Sequence, residues 1–238
     1  MNILATSGGF KADDRRPMRP GPLVDHAFEL AASPARPRFC YLGTASGDSD
    51  YAISAIYQAF NDRDVVVSHV ALFPMPNFAD LRGHLLSQHV IWVGGGSVAG
   101  LLAMWRLHGV DEILREAWAA GVVLAGISAG SLCWHIGGTT DSFGPDLRPV
   151  TNGLALLPYS NGVHYDSEAQ RRPLYHRLVG NGTLPAGYAT DDGVGLHYRG
   201  VELVDVLSDT PGKAAYHVTP DAGGGVNETR IEPRLLGR

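Results

Sequence analysis

The segment spanning residues 121–137, GVVLAGISAGSLCWHIG, constrains the fold of this chain more than any other feature. Its apolar run, residues 122–125, leads directly into the pentapeptide GISAG, which is centred on Ser128, and a helical pattern follows. This order predicts a buried strand that passes through a tight turn into a helix. Such a turn would lift Ser128 Oγ clear of a β-sheet and place it at a helix N-terminus.

The pentapeptide matches the G-x-S-x-G nucleophile elbow. Gly126 and Gly130 flank the serine at positions where a side chain would crowd the neighbouring strand and helix. The free N–H groups and the dipole of a helix N-terminus favour developing negative charge. The motif therefore predicts acyl transfer by a serine nucleophile. The competing interpretation is a glycine-rich turn with Ser128 as an N-cap, because glycine is abundant (30 of 238 residues).

Apolar runs typical of strands alternate with amphipathic stretches along the first half of the chain. The strands are predicted at residues 2–6, 38–43, 65–73, 89–93 and 122–127. The helices are predicted at residues 49–62, 77–88, 97–108 and 110–120. Repeated β-α-β units predict an α/β fold of three layers, α/β/α, with a mainly parallel central sheet covered on both faces by helices.

The pattern changes after about residue 150, where turn residues separate short strands. These strands are predicted at residues 154–158, 162–165, 188–190, 194–198, 201–207, 214–218 and 230–233, with one helix at 168–179. We expect C-terminal antiparallel hairpins that extend the same sheet. No linker demands a second domain, so the prediction is a single domain over residues 1–238. The Pro- and Arg-rich residues 13–22 are predicted to form an exposed loop.

Composition and charge exclude several functional classes. The net charge is −5 with no long basic run, which disfavours nucleic acid and a membrane surface as partners. No apolar run approaches ~18 residues, and the N-terminus lacks the pattern of a secretion signal. Cys40 and Cys133 lie in separate apolar contexts that favour buried thiols over a disulfide. Together these features predict a cytoplasmic protein.

A serine nucleophile needs a general base, and histidine is the usual one. The histidines after Ser128 are His135, His164, His176, His197 and His217. His135 is expected on the helix that Ser128 begins, too far along it to reach back. His164 follows a predicted strand, and parallel sheets collect their catalytic groups at the strand ends. Position therefore favours His164 as the base.

The acid that orients this histidine is sought among the nearby aspartates. Asp191 and Asp192 are adjacent at a predicted strand-to-turn junction, where one carboxylate would face a site and the other water. An ordinary turn, with the side chains bonding the backbone, is the competing interpretation. The other candidates are Asp141, Asp146 and Asp166.

An oxyanion hole needs two backbone N–H donors. One donor is expected from Ala129, directly after the serine. The other is expected from Gly95 or Gly96, because a glycine turn that ends a neighbouring parallel strand exposes N–H groups at the same edge of the sheet. The competing phosphate-loop interpretation is disfavoured, because GGGSVAG lacks the Lys-hydroxyl ending of a Walker loop and does not fit G-x-G-x-x-G.

Together these motifs resemble the serine peptidase family of dipeptidase E and cyanophycinase. The matching segments, in the order of the family, are TSGG (6–9), VGGGS (93–97), GISAGS (126–131), TTD (139–141), GVHYD (162–166) and DDGVGL (191–196). The resemblance implies a flavodoxin-like fold similar to that of class I glutamine amidotransferases. It also implies that Ser128 is the nucleophile, His164 the base and Asp192 the acid, with Asp191 as a rival.

The resemblance has departures and implies further site residues. Ser97 stands where the family often has Asn, and Asp192 where it often has Glu. The substrate-binding candidates are Gly95, Ser97, Asp141, Arg171 and Arg172. The two arginines are candidates because a guanidinium group binds a carboxylate, such as the side chain of an N-terminal aspartate, in a bidentate way. An exposed basic helix face is an equally good interpretation of the two arginines.

The resulting prediction is a serine peptidase that hydrolyses small peptides, with dipeptides that begin with aspartate as one candidate substrate. Gly96 and Ala129 would form the oxyanion hole, and no cofactor or metal ion is expected because no cluster of His, Asp and Glu has ligand spacing. A homodimer is left open. The alternatives are a cyanophycinase-like β-aspartyl peptidase and a non-catalytic domain that binds small molecules. The order Ser, His, Asp disfavours an α/β-hydrolase esterase, in which the acid precedes the histidine.

Overall fold

The structure is a computed structural model that describes residues 1–32 and 35–237. Its strands are β1 (Asn2–Thr6), β2 (Phe10–Lys11), β3 (Arg19–Pro20), β4 (Arg38–Leu42), β5 (Val66–Val70), β6 (Val90–Val93), β7 (Val123–Ile127), β8 (His135–Thr140), β9 (Arg148–Val150), β10 (Leu157–Gly162), β11 (Gly187–Thr190), β12 (Val194–Arg199), β13 (Glu202–Ser208), β14 (Ala215–Pro220), β15 (Val226–Ile231) and β16 (Arg234–Leu235). Its α-helices are α1 (Pro22–Leu30), α2 (Asp50–Ala59), α3 (Leu81–Leu86), α4 (Val98–His108), α5 (Val110–Ala119), α6 (Ala129–Leu132) and α7 (Arg171–Gly180).

The main sheet has eight strands in the order β16-β13-β12-β1-β7-β6-β4-β5. The five strands β1, β7, β6, β4 and β5 are parallel to one another. Strand β12 pairs with β1 and β13 pairs with β12, both in antiparallel orientation. Strand β1 alternates between two apolar cores, with Ile3 and Ala5 on the face of α4 and α5 and Leu4 on the face of α1 and α2. The prediction of a mainly parallel sheet between two helical layers is confirmed.

A second sheet takes up most of the chain after Ser128, in the order β15-β14-β11-β10-β8-β9. The expectation that the C-terminal hairpins all extend the main sheet is therefore wrong: β12–β13 does so, whereas β14–β15 joins the second sheet. Strand β8 lies between β10 and β9 in this sheet. Its Gly137 and Gly138 lie so close to neighbouring strands that an added Cβ would stand 2.1 and 2.0 Å from the carbonyl oxygens of Val150 and Asn161.

Several element boundaries also differ from the sequence prediction. The helix after the elbow has only four residues, so His135 begins strand β8 and does not lie on that helix. Strand β10 ends at Gly162, so residues 163–165 follow the strand rather than continue it. Helix α1, which begins with Pro22 and buries Leu23 and Val24, was not predicted. No helix among residues 1–32 and 35–237 is long and apolar enough to cross a membrane.

His135 lies between the two sheets without solvent exposure. Its Nδ1 lies 3.0 Å from the carbonyl oxygen of Ser131, and its Nε2 lies 3.4 Å from the hydroxyl of Tyr198. Burial lowers the pKa of His135 to about 4, because the charged ring would lose its hydration. The side chain is therefore neutral at pH 7 in the folded protein.

We expect the free energy of unfolding to fall as the pH drops from 6.5 towards 4. In this window the unfolded chain binds a proton at His135 and the folded chain does not, which costs up to about 3 kcal/mol. His197, whose pKa burial also lowers to about 4, contributes in the same direction. Urea titrations at several pH values measure the slope, and His135→Gln should remove about half of it. An unchanged slope in this variant would contradict the assignment.

Candidate active site

Ser128 occupies the turn between β7 and α6 in a strained backbone conformation, with φ 58° and ψ −112°. The flanking glycines explain why the chain can turn there. A Cβ on Gly126 would lie 2.5 Å from the carbonyl oxygen of Gly130, and a Cβ on Gly130 would lie 2.2 Å from that of Val93. Any side chain at either position would force the elbow away from strand β6.

The surroundings of Ser128 leave its hydroxyl uncommitted. The Ser128 N–H donates to the carbonyl oxygen of Thr6 at 3.0 Å, which ties the elbow to the end of β1. Ser128 Oγ makes no hydrogen bond to any residue in 1–32 or 35–237. A Cβ built on Gly95 would lie 3.9 Å from Ser128 Oγ, so the glycine loop after β6 runs directly beside the hydroxyl.

The glycine loop and the start of α6 carry backbone N–H groups without acceptors. The N–H groups of Gly95 and Gly96 make no hydrogen bonds within the described part of the chain, and Ala129, as the first residue of α6, has no intrahelical acceptor for its N–H. Gly96 has φ 132°, and a Cβ there would lie 2.3 Å from the carbonyl oxygen of Ala45, so this position requires glycine. These are the donors that an oxyanion hole needs.

His164 and Asp192 form a side-chain hydrogen bond beyond the ends of β10 and β11. His164 Nδ1 lies 2.6 Å from Asp192 Oδ1, so Nδ1–H donates to the carboxylate and Nε2 is left free to accept a proton. The His164 N–H donates to Ser7 Oγ at 3.2 Å. Because Ser7 follows Thr6, which holds the Ser128 N–H, the end of β1 supports both the serine and the histidine.

Asp191 has a different environment from Asp192. It is buried, and its Oδ2 accepts the Ala214 N–H at 2.9 Å and the Tyr216 hydroxyl at 3.4 Å. Burial raises the pKa of Asp191 because the carboxylate loses hydration, although the hydrogen bond from the Ala214 N–H acts in the opposite direction. Its side chain ties β11 to β14 and makes no bond to His164.

The two predicted carboxylate-binding arginines are committed to protein partners. Arg171 is buried, with Nε 2.8 Å from Glu168 Oε2 and Nη1 2.6 Å from the carbonyl oxygen of Thr139. The Arg172 guanidinium lies over two tyrosine rings, at 4.7 and 4.5 Å from their centroids, and pairs with Glu228 at 3.2 Å. The alternative interpretation, an exposed basic helix face, does not hold for Arg171, which is buried. Arg172 is only partly exposed.

The other predicted binding residues also have clear positions. Ser97 caps α4, since its Oγ accepts the Gly100 N–H at 3.0 Å. Asp141 is exposed after β8 and lines a cleft of about 600 Å³ together with Glu168. The Glu168 N–H donates to the carbonyl oxygen of His164 at 3.2 Å, so a backbone hydrogen bond connects one wall of this cleft to the histidine.

The remaining histidines lie in other surroundings. His176 Nε2 lies 2.7 Å from Glu228, His197 Nε2 lies 3.1 Å from Asn2 Oδ1, and the His217 ring stacks on Tyr188. Sequence reasoning did not single out Ser7, although it stands in the TSGG segment. In the described residues, no group of three or more His, Cys, Asp and Glu side chains is arranged to hold a metal ion.

The sequence model of peptidase family S51 matches residues 3–206. The chain belongs to peptidase family S51. It is therefore a peptidase, and the resemblance to the dipeptidase E family is confirmed. The chain is 47% identical over 183 residues to the uncharacterized peptidase YgaJ of Bacillus subtilis (strain 168), covering 77% of this chain and 78% of that protein.

A more distant relative and two solved structures are also similar to this chain. The chain is 29% identical over 153 residues to Peptidase E of Shewanella denitrificans, covering 61% of this chain and 62% of that protein. Its fold is similar to that of a putative peptidase E from Listeria monocytogenes (TM-score 0.61, 17% identity, 97% and 98% of the two chains). It is also similar to a peptidase from an acI-B1 actinobacterium (TM-score 0.68, 14% identity, 98% and 94% coverage). At these identities the solved structures support the fold alone.

Proposed function

We propose that this S51 peptidase is a serine peptidase that hydrolyses small peptides, with Ser128 as nucleophile, His164 as general base and Asp192 as the orienting acid. The observation that carries the proposal is the 2.6 Å contact of His164 Nδ1 with Asp192 Oδ1 at the edge of the sheet where Ser128 stands. The strained elbow and its uncommitted hydroxyl support the choice of nucleophile.

The proposed reaction has two halves. In the first, Ser128 Oγ attacks the carbonyl carbon of the peptide bond while His164 Nε2 takes the hydroxyl proton. The same proton passes to the leaving amine when the C–N bond breaks, and an acyl-enzyme remains. In the second, water loses a proton to His164 Nε2, attacks the ester and releases the carboxylic acid, while Ser128 regains its proton. Asp192 holds the tautomer and stabilises the imidazolium that forms in each half.

The proposed oxyanion hole consists of the N–H groups of Gly96 and Ala129, with Gly95 beside them. Their support is that the glycine loop runs next to Ser128 and that the Gly95 and Gly96 N–H groups have no acceptor within residues 1–32 and 35–237. Donors that are already oriented need no rearrangement as the carbonyl oxygen becomes negative. Gly96 also cannot carry a side chain, which supports a backbone role for this position.

The substrate side chain is a more open part of the proposal. The relative named Peptidase E supports a peptide as the substrate, whereas small peptides and dipeptides beginning with aspartate stay predictions. The commitments of Arg171 and Arg172 to Glu168, Thr139 and Glu228 count against these two arginines as carboxylate ligands. No specific observation favours the β-aspartyl or non-catalytic alternatives. The cytoplasmic location, the single domain and the homodimer also stay predictions.

A fluorophosphonate probe followed by mass spectrometry tests the proposed nucleophile. We expect stoichiometric labelling of the peptide that contains Ser128, with loss of hydrolysis across a dipeptide library. The His164→Gln variant should be labelled at least about 100-fold more slowly, because the hydroxyl loses its base. Denatured protein is the control for non-specific labelling. Labelling at another serine, or equal labelling of both proteins, would contradict the proposal.

A further inference from the structure

Three segments of the chain meet beside the His164–Asp192 pair. Asp166 lies in the loop after β10, Asp192 lies after β11, and Lys213 lies just before β14. Asp166 Oδ1 accepts the Asp192 N–H at 2.9 Å, and Asp166 Oδ2 forms an ion pair with Lys213 Nζ. The next residue, Ala214, donates its N–H to Asp191 Oδ2 at 2.9 Å. One short segment therefore ties both loops together.

We propose that Asp166 and Lys213 are positioning residues of this peptidase, which hold Asp192 against His164 and balance the negative charge beside the imidazole. The inference rests on the proposed function, in which Asp192 orients His164. It adds two residues that act through Asp192 and His164.

The geometry explains why Asp192 needs such an anchor. Its side chain is 43% exposed, so packing alone does not hold the carboxylate in place. The hydrogen bond from its N–H to Asp166 holds the peptide that carries it. Asp166 is only two residues from His164, so one loop carries both the base and the anchor of the acid. A change at Asp166 should therefore alter the alignment of His164 with its partner.

The charges explain why the anchor is an ion pair. The charged groups that act on Lys213 are Asp166, Asp191 and Asp192, so one cation faces three carboxyl groups. The bond to Asp166 raises the pKa of Lys213. Burial would raise the pKa of Asp166, but Lys213 and the Asp192 N–H outweigh it and lower that pKa. Both partners therefore stay charged at neutral pH.

Removing the charge of Lys213 and removing the charge of Asp166 should move the acid limb of the kcat/KM profile in opposite directions. In Lys213→Met the carboxylates are less compensated and stabilise protonated His164, so the acid limb of kcat/KM should move up by about 0.4 pH unit. In Asp166→Asn the amide oxygen can still accept the Asp192 N–H while a negative charge is lost, so the limb should move down. Lys213→Arg should restore the wild-type profile. Lys11→Met, which breaks the Lys11–Asp209 ion pair elsewhere, is the matched control and should leave the limb in place.

The anchor itself is tested by Asp166→Ala, which removes the acceptor. We expect kcat to fall about 10-fold with little change in KM, because the acid is misaligned while the substrate site is untouched. A purely structural role would lower the thermal midpoint without opposite movements of the acid limb in the charge variants. Movement in the same direction, or none, in Lys213→Met and Asp166→Asn overturns the inference.

NMR titration of the His164 ring separates this inference from the proposed function, because it requires no turnover. His164→Gln identifies the resonance by its loss. We expect the titration midpoint to move up in Lys213→Met and down in Asp166→Asn. If Ser128 is dispensable for hydrolysis while the midpoints move, the proposed function fails and the electrostatic part of the inference stands. If Ser128 is essential and the midpoints stay in place, the inference alone fails.

Discussion

Replacing Ser128 with alanine is expected to lower kcat for peptide hydrolysis by about 10⁶-fold, which is the size of loss found when a serine nucleophile is removed. The fold should survive the change for two reasons. Ser128 Oγ makes no hydrogen bond within residues 1–32 and 35–237, so its removal leaves no buried partner unsatisfied. Alanine also suffers the same positive φ of 58° that serine already bears, so the backbone strain is unchanged.

The measurement is kcat and KM on a dipeptide substrate identified by the library, with the thermal midpoint of each protein. Ser54→Ala, on the surface of α2, is the matched control, because it removes a serine hydroxyl far from the elbow in sequence and should keep wild-type kcat. A wild-type kcat in Ser128→Ala would contradict the serine mechanism. A fall in the thermal midpoint large enough to unfold the variant would show that the hydroxyl has a structural role.

The second large effect is expected at the acid. In Asp192→Asn we expect kcat to fall by about 10³- to 10⁴-fold, because the amide N–H can donate a hydrogen bond to His164 Nδ1 and favour the wrong tautomer of the ring. His164 Nε2 would then carry the proton and could not act as a base. The contact at stake is the 2.6 Å hydrogen bond between His164 and Asp192.

Asp191→Asn is the matched comparison, because it makes the same chemical change one residue away. Its Oδ2 bonds to Ala214 on the edge of β14, and its Oδ1 is buried with no partner in the described chain. We therefore expect a loss of about 1–2 kcal/mol in the free energy of unfolding, with kcat within a few-fold of wild type. Steady-state kinetics and urea denaturation of both variants decide between them. A kcat defect confined to Asp191→Asn would show that the acid is wrongly assigned.

The elbow was predictable because its motif is local: five consecutive residues carry it, and the apolar run before it predicts the strand. The steric requirement at Gly126 comes in part from Gly130 within the same turn, whereas that at Gly130 comes from Val93 of β6. The parallel core was predictable for the same reason: strands such as β4 and β6 carry continuous apolar runs, which are typical of strands buried on both faces.

The second sheet was not predictable in this way. The residues of β8, HIGGTT, follow four helical residues, and their strand character depends on β9 and β10, with which they pair. Nothing near Gly137 and Gly138 in the sequence reveals that these neighbours approach so closely. The error in placing His135 on a helix has this origin, and its burial between the sheets is a consequence of the same pairing.

The sequence by itself determined the peptidase family motifs and their order along the chain: a glycine loop, a serine at an elbow, then a histidine and two adjacent aspartates. Only the tertiary structure decided which aspartate forms a hydrogen bond with His164 and which protein groups bind the side chains of Arg171 and Arg172. The physical reason is distance along the chain. Asp192 lies 28 residues from His164, and its contact exists only because parallel β10 and β11 end side by side.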